Sequence, residues 1–91
     1  MEFTVTPERE EAFLEAMDHR RKSRRRTGAT RWELYRDGDR PDRFVEIVSV
    51  PSWEEHVRQH GGRLTATDQE IEEAALAFSD PPPRGMHLLP P

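Results

Sequence analysis

The chain has 91 residues, of which 33% are hydrophobic and 35% charged, with a formal net charge of −4 and no cysteine. Those values bound one small domain, residues 1–91, with a thin core for which association is a common remedy. They exclude disulfides, thiolate catalysis and zinc–thiolate sites, and they give no overall drive toward nucleic acid or an anionic membrane. No apolar run approaches the ~20 residues that span a bilayer. Met1-Glu2-Phe3-Thr4-Val5 has neither the basic nor the apolar region of a signal peptide, so a cytoplasmic domain is expected.

Residues 2–5 read as a short strand with Phe3 and Val5 on one face. Thr6-Pro7 predicts a helix start, with Thr6 as N-cap, Pro7 at the first position and Glu8, Glu10 and Glu11 in the first turn. Ala12, Phe13, Ala16 and Met17 form its apolar stripe, which gives way to a basic run from His19 to Arg26. Gly28 is placed to close the helix.

Arg31 to His60 is the organising stretch: strand, hairpin, strand, helix. Thr30 to Arg36 alternates large and polar residues, and Asp37-Gly38-Asp39-Arg40-Pro41-Asp42 supplies the turn. Arg43 to Val50 returns as a second strand that Pro51 stops, and Ser52-Trp53-Glu54-Glu55 is a capping box for a helix to about His60. Gly61-Gly62 ends that helix. Thr67-Asp68-Gln69-Glu70 repeats the capping pattern, with Ile71, Ala74, Ala75 and Phe78 as the buried stripe of a further helix. Pro81-Pro82-Pro83 forms a spacer, and Arg84 to Leu89 reads as a last strand.

The order predicts an α+β fold: a ferredoxin-like βαββαβ sandwich with an extra helix, its four-stranded antiparallel sheet covered by helices on one face. In the second hairpin strand, Phe44, Val48 and Val50 point one way and Val45 and Ile47 the other. A strand apolar on both faces expects cover on both. Nothing remains in the chain to cover Val45 and Ile47, so an isologous homodimer through that face is expected.

The run Arg20-Arg21-Lys22-Ser23-Arg24-Arg25-Arg26 reads either as a phosphate-binding patch or as a solvated last helical turn facing the negative end of the dipole. The negative net charge and the lack of interleaved aromatics favour the second, so no nucleic-acid partner is expected. His56 and His60 share a helix face, but a metal site would need Glu55 or His87 as well, and the H-E-x-x-H pattern is absent; no metal is expected. Trp32, Tyr35 and Trp53 read as core or interface anchors, or as the lining of a ligand pocket between sheet and helices together with His56 and His60. His56 is then the candidate general base, its ordinary pKa being near neutrality.

Trp32-x-Leu34-Tyr35-Arg36-Asp37, Arg43-Phe44-Val45-Glu46 and Ser52-Trp53-x-Glu55-His56-x-Arg58-Gln59-His60 resemble the antibiotic biosynthesis monooxygenase-like domain. More narrowly they resemble the C-terminal domain of bacterial major facilitator transporters of the transmembrane secretion effector group, over nearly the whole chain. The resemblance implies a dimeric α+β barrel, without a cofactor, on the cytoplasmic face of a transporter's membrane part. The reading favoured is a non-catalytic ligand-binding or regulatory module; the alternative is a cofactor-independent monooxygenase of an aromatic polyketide-like substrate. Haem-degrading relatives use a pocket Asn; this chain contains none, so that chemistry is not carried over.

Overall fold

The structure, a computed structural model, describes residues 1–50 and 65–88. The helix expected over residues 52–60, with Trp53, His56 and His60, lies outside the described residues. Three strands, β1 (Glu2–Thr4), β2 (Arg31–Arg36) and β3 (Arg43–Ser49), form an antiparallel sheet in the order β1-β3-β2. Two α-helices, α1 (Glu10–Arg26) and α2 (Ala66–Leu76), accompany them, with a 3-10 turn at Pro7–Arg9 leading into α1. The small α+β character agrees with the sequence reading.

The expected four-stranded sheet is seen in part. Among the described residues the last segment makes one isolated bridge, Glu2 to Arg84, and the sheet is three-stranded. β1 is the reason. Thr4 donates its N–H to Ser79 Oγ at 2.9 Å and accepts from the Asp80 amide at 2.9 Å, which leaves only Glu2 to pair with Arg84. Met86 and Leu88, expected in that strand, are exposed.

The register explains the core. Phe3 pairs with Phe44, and Trp32, Leu34 and Arg36 pair with Val48, Glu46 and Phe44, so these residues share the helix-covered face. Phe3, Val5, Phe13, Met17, Phe44 and Ala75 are buried there. Phe13 is the hub, its ring centroid 5.3 Å from that of Phe3, 5.1 Å from Phe44 and 6.1 Å from Phe78.

The ends of α1 follow local chemistry. Thr6 precedes the 3-10 turn in extended backbone but makes no side-chain cap. At the other end Gly28 takes φ 115°, a conformation that L side chains resist. Its N–H reaches the Arg25 carbonyl at 3.3 Å while Ala29 N–H reaches that of Arg24 at 2.9 Å, the paired bonds of a Schellman cap. The N-cap of α2 lies two residues before the expected Thr67. Thr65 is its N-cap: Thr65 Oγ1 accepts from the Asp68 amide at 3.1 Å, and Asp68 Oδ2 accepts from the Thr65 amide at 3.0 Å. Asp68, not Glu70, closes this box because its carboxylate is also held from α1.

Candidate functional site

The two faces of the sheet carry different chemistry. On the covered face α1 continues inward past Met17, because Arg20, Ser23 and Thr27 repeat the spacing of Phe13 and Met17. Arg20 and Glu46 are both buried, and they meet through Nε to Oε2 at 2.6 Å and Nη2 to Oε1 at 3.2 Å. Trp32 Nε1 donates to the same Oε2 at 2.9 Å. Arg20 Nη1, buried among the described residues without a hydrogen bond, stands 3.6 Å from Glu72 Oε1. Arg24 Nη2 reaches that Glu72 oxygen at 3.0 Å.

One turn away, Ser23 Oγ donates to Asp68 Oδ1 at 2.8 Å, and Arg26 pairs with the same oxygen. Burial acts to raise the Asp68 pKa, but the bonds from Thr65 and Ser23 and the charge of Arg26 outweigh it and hold the carboxyl below its ordinary value. Burial first, then repulsion from Arg20, pulls the Arg24 guanidinium down, while Glu72, Glu46 and Asp68 oppose that shift. The basic run is therefore an ion-paired seam between α1, α2 and β3. This corrects the expectation of a solvated turn in part: Arg20 and Arg24 turn inward, whereas Arg21 and Lys22, both paired with Asp18, and exposed Arg25 and Arg26 face outward, Arg26 still reaching Asp68.

The open face is smaller and mixed. Arg31, Glu33 and Tyr35 of β2 stand beside Ser49, Ile47 and Val45 of β3, which in turn adjoin Glu2 of β1. Ile47 is 39% exposed and Tyr35 50%, with Val45 half-buried between Tyr35 and Glu2. Charged pairs frame this apolar strip. Arg43 bonds Glu2 at 2.5 Å and lies 3.9 Å from Asp37. Arg31 binds Glu33, which also accepts from the Tyr35 hydroxyl. The Arg31 bond lowers the Glu33 pKa, and Glu33 raises that of Arg31.

Of the residues expected to line a ligand pocket, Trp32 and Tyr35 lie on opposite faces of the sheet, and Trp53, His56 and His60 fall outside the described residues. Trp32 spends its N–H on Glu46. Two shallow depressions lie among the described residues. One, of ≈ 230 Å³, lies between α1 and α2 and is lined by Ala16, His19, Thr67, Glu70, Ile71 and Ala74. The other, of ≈ 370 Å³, lies beside the β2–β3 hairpin at Val5, Pro7, Glu10 and Arg36. Neither contains a buried acid–base pair. Among the described residues no group of three His, Asp or Glu is placed to hold a metal, and no helix is long and apolar enough to cross a membrane.

The signal for the buried seam was present in the sequence as parity: Glu46 alternates with Phe44 and Val48 on the inward side of β3. A carboxylate at such a position calls for a cation opposite, and Arg20 falls one helical turn beyond Met17.

A family model described as transmembrane secretion effector matches residues 1–89. No curated protein and no solved structure matches the chain.

Proposed function

The chain belongs to the transmembrane secretion effector family, and we propose that it works there as a non-catalytic, self-associating module of a major facilitator transporter. The observation that carries the reading is the open sheet face. Tyr35, Val45 and Ile47 make an apolar strip that no described element covers, while the other face has two helices on it. A second copy, face to face, supplies the same strip and buries both. The single bridge at Arg84 supports a ferredoxin-like arrangement in which the last segment flanks β1. Two such units packed through their sheets make a dimeric α+β barrel of the antibiotic biosynthesis monooxygenase-like kind.

Such a module would hold two transporter chains together at the cytoplasmic face of the membrane. Catalysis lacks support from the described geometry, since Trp32 is committed to Glu46 and Tyr35 points to the opposite side of the sheet. Two measurements test the reading. Oxygen uptake with an anthrone-like substrate is expected to stay at background; consumption that His56→Ala abolishes would make the chain an oxygenase. Ile47→Asp is expected to halve the mass in solution, because it sets an unpaired charge in the contact. An unchanged mass would remove the face-to-face contact.

A further inference from the structure

The seam divides the cations of α1 into two sets. Arg20 and Arg24 turn inward, where Glu46 and Glu72 hold them. Arg21, Lys22 and Arg25 lie on the helix exterior near its C-terminus, with Arg26 beside them against the first turn of α2. Lys22 is 64% exposed and Arg26 56%. Asp18 holds Arg21 at 2.8 Å and Lys22 at 3.1 Å, and Asp68 holds Arg26. Arg25, also exposed, has no ion pair among the described residues. Four outward cations therefore meet two carboxylates. The helix dipole accounts for cations in the last turn alone, and Arg21 and Lys22 precede that turn.

This patch is positive although the chain, at −4, is not. The exposed acids of the same helix, Glu15 and Glu11, lie ~15 and ~21 Å along the axis from Arg25 at about 1.5 Å per residue. Glu70 of α2 sits farther back, beside His19. The Debye length is about 8 Å at physiological ionic strength, so the acids of α1 do not cancel the field at Arg25. A flat anionic surface approaching the C-terminal end of α1 meets cations first.

We propose that this patch docks on the anionic lipid headgroups of the membrane in which the transporter sits. The inference rests on the transporter reading, which places the module at a leaflet of negative surface potential, and it adds the side by which the module meets that leaflet. α1 covers the face of the sheet that carries Phe3 and Trp32, so its exterior points away from Tyr35, Val45 and Ile47. Sheet-to-sheet packing of two copies therefore leaves the patch uncovered. Two uncompensated cations correspond to about a 30-fold preference for an anionic over a neutral surface. That is weak for a free chain and sufficient for one tethered at the membrane, where a short linker gives an effective concentration in the millimolar range.

The test is nuclear magnetic resonance of the whole chain with vesicles that carry a lipid-attached gadolinium chelate, at ~0.1 M salt. With about one-third phosphatidylglycerol in phosphatidylcholine, amide broadening is expected to centre on Arg21 to Arg26, and to be about 30-fold weaker with phosphatidylcholine alone. Lys22→Gln with Arg25→Gln, both at exposed positions, leaves each remaining outward cation with a carboxylate and is expected to bring the broadening down to the phosphatidylcholine level. Salt at ~1 M is expected to do the same. Equal broadening by the two vesicles, broadening centred elsewhere, or a double variant indistinguishable from the parent would overturn the proposal. So would duplex DNA that shifts the same amides where the anionic vesicle leaves them unmoved, which assigns the patch to nucleic acid. The molar mass of the same sample without vesicles reads self-association separately. A single-chain mass with broadening at Arg21 to Arg26 refutes the sheet packing and keeps the lipid contact; a double-chain mass without broadening does the reverse.

Discussion

Replacing Glu46 with Ala removes the one carboxylate that Arg20 and Trp32 share. Arg20 has 2% exposure, so the guanidinium cannot reach water without moving α1, and its nearest other anion, Glu72, stands 3.6 Å from Nη1. Leaving a buried charge without its partner costs ~3–5 kcal/mol. A chain of this size has roughly 5–14 kcal/mol in total, so Glu46→Ala should remove about a fifth of the stability or more. With an m-value of about 1.2 kcal/mol/M, the urea midpoint should fall by about 3 M. The measurement is urea unfolding at fixed protein concentration, so that association does not shift the comparison. The double variant Arg20→Met, Glu46→Met removes both charges and should be milder than either single change. A loss below about 1 kcal/mol for Glu46→Ala, or a double variant as poor as the sum of its parts, would refute the view that this pair is isolated from water.

Three other outcomes follow from the same geometry. Asp68 is held below its ordinary pKa of 3.8, so its contribution is present above that value and is lost as pH falls through the folded pKa. Asp68→Asn should therefore be markedly less stable than the parent at neutral pH, with the gap narrowing below pH 3.8; urea titrations across the acid range check this. Thr65→Ala removes half of the α2 capping box and should cost about 1 kcal/mol by the same assay. Gly28→Ala forces a Cβ into φ 115° at the α1 cap, and its unfolding free energy should drop by about 1–2 kcal/mol.

The hairpin and both helices were legible because their signals are local. Turn residues fall between two alternating runs, and Phe13 and Met17 sit at helical spacing. The inward course of the basic run was not legible from charge alone. A row of arginines at a helix end suits the dipole whether or not it is buried. The carboxylates that decide the matter, Glu46, Asp68 and Glu72, lie 26 to 48 residues from the arginines and serine they hold. Local spacing alone does not choose the start of α2, since Thr67 and Thr65 both precede an acid at capping distance. Only the tertiary bonds from Ser23 and Arg26 select Asp68 as the box carboxylate. Trp32 and Tyr35 are both aromatic, yet three residues along a strand put them on opposite faces, so parity outranks residue type.

The most direct test of the account is the molar mass of the unaltered chain by light scattering through a dilution series in the micromolar range. Self-association through the sheet predicts a mass of at least two 10.7 kDa chains at the upper end. A single-chain mass at every concentration would contradict it, leaving Tyr35, Val45 and Ile47 to be covered by the membrane part of a transporter or by no partner at all.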